Sequence, residues 1–271
     1  MCRWIAYTGP VIPMSIALID AKHSLLVQSE RSTMGEEPMN GDGFGIGWYS
    51  DHLETPGVFR DVRPAWNDDN FRDLAAHIRS GMFLAHIRAT TVTAVQRSNC
   101  HPFRHGRWLF QHNGLIPDFH LLRRDLMFEV GEEYFDGIQG STDSEVIFHL
   151  ALTFGLEDDA PVALTRTVAT IEETMKRHGV EDEFQFSATA ANGQSIYAVR
   201  YASRGTPRTL FYATDLGVLR ELDPALGAIP EGSIVVVSEP LGPTVHWEEV
   251  PAGTIIRAGQ GGVDIGPFRP A

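Results

Sequence analysis

Two cysteines in 271 residues, Cys2 and Cys100, are too few for a disulfide framework or a cysteine-rich zinc site. A reducing, cytoplasmic setting fits that scarcity. No apolar run approaches the ~20 residues that span a bilayer. The opening Met1-Cys2-Arg3-Trp4 lacks the charged and then apolar succession of a secretory leader. Basic residues are the minority, with 22 Lys and Arg against 35 Asp and Glu, a net charge of −13. With no Lys/Arg-rich block to offset it, this balance argues against a nucleic-acid partner, which requires a clustered basic surface. Histidines are plentiful, yet no His-Glu-x-x-His occurs, and the nearest cluster (His101, His105, His112) falls on a turn and a strand. The expectation is therefore no metal, no cofactor, no nucleic acid and no membrane.

Hydrophobic spacing predicts a helix over residues 13–29, with Ile16, Ile19, His23 and Leu26 on one face. In the Gly-rich stretch that follows, Phe44, Ile46 and Trp48 alternate with glycine as in a strand. Asn67 is the expected N-cap of a helix over 68–79, and 82–87 and 107–111 read as buried strands. Helices are expected over 117–126, from Thr142 through 146–156, and over 161–178, the last stopped by Gly179. Beyond residue 184 the pattern turns to strands at 186–191, 195–201, 210–213, 233–238, 245–250 and 254–256, with Asn192-Gly193 marking a tight hairpin. No linker, repeat or low-complexity tract divides the chain. Strands at both ends with helices between them predict one α+β domain over residues 1–271.

Four segments carry residue types suited to chemistry, each with a plainer alternative. Cys2 would become the first residue once Met1 is removed, with its α-amine as a built-in base; it is otherwise an incidental residue of a frayed terminus. Arg88, in His86-Ile-Arg-Ala-Thr-Thr91, ends an apolar strand and needs a partner, either a ligand carboxylate or a structural Asp or Glu. Asn113-Gly114 after a strand is a tight turn, or else an amide and a glycine N–H converging on an oxyanion. In Ser141-Thr-Asp-Ser-Glu145, Thr142 and Glu145 fit a capping box. There Asp143 either favours the positive helix end or binds a substrate ammonium.

The ordered set Cys2, Gly-rich strand, His86-Ile-Arg88, Asn99-Cys-His-Pro102, His112-Asn-Gly114 and Thr142-Asp-Ser-Glu145 resembles the class II glutamine amidotransferases of the N-terminal-nucleophile hydrolase superfamily. The resemblance implies a four-layer α-β-β-α sandwich with two antiparallel sheets. Position by position, it makes Cys2 the nucleophile and Asn113 and Gly114 the oxyanion hole. It gives Arg88, aided by Thr91, the α-carboxylate, gives Asp143 the α-ammonium, and sets His101 near the glutamine pocket. The implied substrate is glutamine or another γ-glutamyl compound, with a separate ammonia-accepting enzyme as a possible partner. Synthase-linked members carry an Arg-Gly where this chain reads Met39-Asn-Gly-Asp-Gly-Phe-Gly45. That form looks like the stand-alone branch, which includes hydrolases of γ-glutamyl thiol conjugates. No synthase, phosphoribosyltransferase or isomerase domain is expected after Ala271.

Overall fold

The structure is a computed structural model that describes residues 2–34, 39–90 and 93–270. In chain order, its first half comprises β1 (Arg3–Pro13), α1 (Leu25–Glu30), β2 (Phe44–Ser50), β3 (Leu53–Asp61), α2 (Asp69–His77), β4 (Arg79–Ile87), β5 (Phe103–His105) and β6 (Trp108–Leu115). Four helices follow: α3 (Phe119–Phe128), α4 (Glu132–Phe135), α5 (Asp143–Thr153) and α6 (Ala160–Arg177). The chain then forms β7 (Gln185–Ala191), β8 (Ser195–Ala202), β9 (Phe211–Ala213), β10 (Ile234–Val237), β11 (Glu248–Glu249), β12 (Thr254–Gly259) and β13 (Gly262–Pro267).

The strands form two antiparallel sheets, ordered β11-β9-β10-β1-β4-β2-β3 and β13-β12-β8-β7-β6-β5. Side-chain alternation sorts each strand into two cores. On β1, Ile5 and Tyr7 pack with α1 and α2, while Trp4 and Ala6 face the second sheet. On the second sheet, Phe110, Phe186 and Val199 pack under α3, α5 and α6, whereas Leu109, Ile196 and Ala198 face the first sheet. Helix, sheet, sheet, helix is the resulting order of layers, an α+β four-layer sandwich.

The predicted 13–29 helix divides. Residues 3–13 continue as strand, a π-turn covers Ile16–Asp20, and only α1 is α-helical. Ala21 is extended, and the break is held from outside: Lys22 N–H donates to Asp223 and His23 meets Glu239. Ser24 then caps α1. The α2 cap is Asp68 rather than Asn67, its carboxylate accepting from Phe71 N at 2.8 Å. The Thr142 cap and the left-handed Gly179 stand where expected.

Candidate active site

Cys2 immediately precedes β1, a central strand of the first sheet. Its sulfur sits beside Ala89, just past the end of β4, with the Ala89 N–H and carbonyl each 3.5 Å away. The Cys2 carbonyl accepts from Asn113 Nδ2 at 3.0 Å and Arg3 Nη1 at 2.9 Å. Asn113 and Gly114 are not in a turn: both lie within β6, opposite Ser187 and Phe186 of β7. A Cβ on Gly114 would stand 1.9 Å from the Gln185 carbonyl oxygen and 2.1 Å from the His112 ring. Any side chain there would force the two strands apart.

Arg88 is buried, at 3% exposure. Its guanidinium donates to the Asp42 and Ala94 carbonyls at 3.4 and 3.3 Å and to Thr93 Oγ1 at 2.5 Å. All three are neutral acceptors, and among the described residues it has no carboxylate partner. Asp42 accepts from Thr90 N at 2.8 Å through its side chain, and its N–H donates to the Arg88 carbonyl. The Asp42-Gly43 turn thereby fixes the 88–90 segment beside Cys2. Thr91 lies outside the described residues.

The ring of contacts closes through α5. Ala94 O also accepts from Asn99, whose amide bonds Ser141 through both its oxygen and its nitrogen. Asp143 accepts from Ile116 N and Ser144 N, both at 2.9 Å, which ties the start of α5 to the chain just past β6. Glu145 completes only half a capping box. Its N–H meets Thr142, but its carboxylate turns to the Gln139 and Gly140 N–H groups and closes the preceding loop. Cys2, Asn113, Asp143 and Arg88 are thus carried by four elements that meet at one end of the sandwich. A groove of about 1130 Å³ at the opposite end of β1, lined by Thr8, Gly9, Tyr49 and Arg257, is remote from them.

Beneath the site lies a charged anchor. Arg3 Nε donates to Glu239 at 2.6 Å, and Glu239 also accepts from His23, Ser32 and Thr33. Burial works to raise the Glu239 carboxyl. Hydrogen bonds from His23 and Thr33, with the Arg3 charge, outweigh it and hold the group well below the usual range. Because Arg3 also holds the Cys2 carbonyl, this pair anchors the position of residue 2.

His101, expected near the pocket, is buried at 4% exposure, its ring 4.2 Å from His86 and 4.6 Å from Phe103. Its carbonyl lies so near Gly45 that a Cβ there would be 2.1 Å away, which explains a glycine at that point of β2. His86 donates Nε2–H to the His112 carbonyl at 3.3 Å, and His112 Nδ1 meets Ser144 Oγ at 2.9 Å. Burial dominates all three imidazoles: His86 is pushed down to about 3, and His101 and His112 are lowered as well. The fold thus favours their neutral forms, whereas the unfolded chain would protonate them near pH 6.5. The unfolded chain then binds more protons, so stability should fall as pH drops below that value. Glu145, raised by burial, acts in the opposite direction. His86 alone corresponds to roughly 1.4 kcal/mol between pH 7.5 and 5.5, and His101 and His112 act in the same direction. Thermal unfolding across that range should show the loss, and a flat profile would mean that the histidines are charged in the native state.

Residues 19–267 match the family model described as glutamine amidotransferases class-II. The chain belongs to that family. Among curated relatives, "Probable glutamine amidotransferase DUG3" of Saccharomyces cerevisiae is 39% identical over 160 residues, 56% of this chain and 45% of that protein. The chain therefore matches under half the length of that relative. The gamma-glutamyl-hercynylcysteine sulfoxide hydrolase of Mycolicibacterium smegmatis is 27% identical, over 93% of this chain and 92% of that protein. A class-II domain protein from Silicibacter pomeroyi superposes with a TM-score of 0.74 at 33% identity, covering 99% of this chain and all of that one. The glutamine phosphoribosylpyrophosphate amidotransferase of B. subtilis, at TM-score 0.66 and 14% identity, shares the fold over 98% of this chain and 49% of its own. The family is one of glutamine amidotransferases, and these relatives' names are those of enzymes. Among the described residues, no helix is long and apolar enough to cross a membrane.

Proposed function

We propose that this chain hydrolyses the side-chain amide of glutamine, or of a glutamine-like γ-glutamyl compound, with Cys2 as nucleophile after removal of Met1. The observation that carries the reading is the buried guanidinium of Arg88, next in sequence to the Ala89 that flanks the Cys2 sulfur, whose acceptors among the described residues are all neutral. A buried charge lacking a counter-ion is costly, and a ligand carboxylate would supply one in two-pronged geometry. The α-amine of Cys2, with a pKa of roughly 7.7–8.0, takes the thiol proton. The thiolate attacks the amide carbon, and the oxyanion is held by Asn113 Nδ2–H and Gly114 N–H. Collapse expels ammonia, which leaves with the proton returned by the α-ammonium. Water then attacks the γ-glutamyl thioester, releasing glutamate and restoring the thiol. Arg88 holds the α-carboxylate and Asp143 the α-ammonium; His101, buried on His86, supports the pocket from behind rather than touching substrate. The ammonia passes to water or to a separate acceptor enzyme, and residues 1–271 work as one domain.

A second reading, a γ-glutamyl amide hydrolase acting on a larger thiol conjugate, uses the same groups with a bulkier leaving amine. It is favoured by the match to the hercynylcysteine sulfoxide hydrolase over nearly the full length of both chains. Assaying glutamine against a γ-glutamyl conjugate separates the two.

The clamps are tested by thermal unfolding with and without glutamate, which presents the same head group. Saturation at a hundred times Kd should stabilise wild type by about 2.7 kcal/mol. Arg88→Lys keeps the charge but loses the fork, and should respond to glutamate as poorly as Arg88→Ala. Asp143→Asn should lose the response too. It should also cost about 1–3 kcal/mol of stability, because the Asp143 carboxylate accepts two backbone N–H groups and an amide replaces one acceptor with a donor. Variants that keep the wild-type glutamate shift would remove Arg88 and Asp143 from the site.

A further inference from the structure

Asn113 can serve an oxyanion only if its amide nitrogen, not its oxygen, faces Cys2. The structure gives a physical reason for that orientation. Asn113 lies between two groups of opposite demand: the Cys2 carbonyl, 3.0 Å from Nδ2, and Arg208 Nη1, 3.1 Å from Oδ1. A carbonyl oxygen only accepts and a guanidinium only donates, so a flipped amide would set oxygen against oxygen and N–H against N–H. The Cys2 carbonyl takes one of the two amide protons, which leaves the second for charge that develops on the substrate.

Arg208 is itself firmly placed. It lies in the segment joining β8 to β9, with its N–H donating to Gln185 Oε1 at 3.0 Å and its carbonyl accepting from Arg200 Nε at 2.9 Å. The neighbouring Thr209 hydroxyl donates to the Ser238 carbonyl at 2.8 Å, and Gln185 Nε2 donates to Thr206 O at 3.2 Å. The guanidinium therefore approaches Asn113 from a backbone pinned to β7, β8 and the end of β10.

We infer that Arg208 is a positioning residue for the oxyanion hole, acting through Asn113. It locks the amide with Nδ2 toward the reacting carbon. It also polarises that amide, since a charged donor on Oδ1 makes the Nδ2 protons better donors. This rests on the assignment of Asn113 to the oxyanion hole. Because the effect passes through a donor used mainly in the transition state, it belongs in kcat rather than KM.

The test is steady-state hydrolysis of L-glutamine and of γ-glutamyl-p-nitroanilide by wild type, Arg208→Ala, Arg208→Lys, Asn113→Ala and the Arg208→Ala/Asn113→Ala double variant. Arg208→Ala should lower kcat by roughly 10–100-fold, a fraction of the loss from removing the oxyanion donor itself, with KM nearly unchanged. Arg208→Lys keeps a charged donor on Oδ1 and should recover most of that loss, which also decides the matter should the alanine variant fail to fold. In the double variant the Arg208 change should add nothing to the Asn113→Ala loss, because its route is already gone. Losses that multiply, an effect confined to KM, or a lysine variant as impaired as alanine would overturn the role of Arg208 while leaving the proposed function standing. A folded wild type that turns over neither probe would overturn both.

Discussion

Cys2→Ala is expected to lower turnover by roughly 10⁴–10⁶-fold while leaving a folded protein that still binds glutamate. The backbone of residue 2 is held through its carbonyl by Arg3 and Asn113, and an alanine keeps both contacts. What disappears is the sulfur beside Ala89. Cys100 cannot substitute for it. That thiol is fully buried, directed at the Asp61 and Gln96 carbonyls, and burial pushes its pKa up to about 11, so almost no thiolate forms near neutrality. A glutamine-mimicking electrophile should therefore label Cys2 alone, and intact-mass measurement should find that the labelled protein lacks Met1. Label on Cys100, or a Cys2→Ala protein with wild-type turnover, would overturn the nucleophile assignment.

Asn113→Ala should reduce kcat by roughly 10²–10³-fold with a modest change in KM, the loss typical of removing one oxyanion donor. Arg3 would still hold the Cys2 carbonyl, so the nucleophile should remain largely in place. Asn113→Asp is the sharper variant. It keeps the shape and strengthens the contact with Arg208, but it presents only acceptors to the Cys2 carbonyl. It should be at least as impaired as the alanine variant. A loss confined to KM in either would assign Asn113 to binding, and full activity in the aspartate variant would exclude it as a donor.

Inner strands other than β1 were legible because both of their faces are buried. The alternation of Phe44, Ile46 and Trp48 marks β2, and 82–87 falls within β4. Edge strands were not. β3, β5 and β13 each border a sheet, and β3 and β13 show almost no buried residue, so neither leaves a hydrophobic period to read. The segment 245–250, also at an edge, contributes only Glu248–Glu249 as strand after a 3₁₀ turn. β1 was missed for a different reason. Its partners β4 and β10 are distant in sequence, and the helix-like spacing beyond Pro13 drew the boundary the wrong way.

By itself the sequence determined the residue types and their order: a cysteine at position 2, an arginine closing a buried strand, Asn-Gly at a strand end, and an aspartate in the first turn of a capped helix. These are local features, set by neighbours within a few residues, and so they survive in a one-dimensional reading. Only the tertiary structure decided that Asn113 lies in a strand rather than a turn, because β7 pairs with it from more than seventy residues away. It likewise decided that Arg88 has no carboxylate among the described residues, that Glu239 anchors Arg3 beneath Cys2, and that Arg208 orients the Asn113 amide. Glu239 and Arg208 carry no motif of their own. Their roles arise from charge and hydrogen-bond complementarity across sequence separations of 236 and 95 residues, which only folding brings within reach.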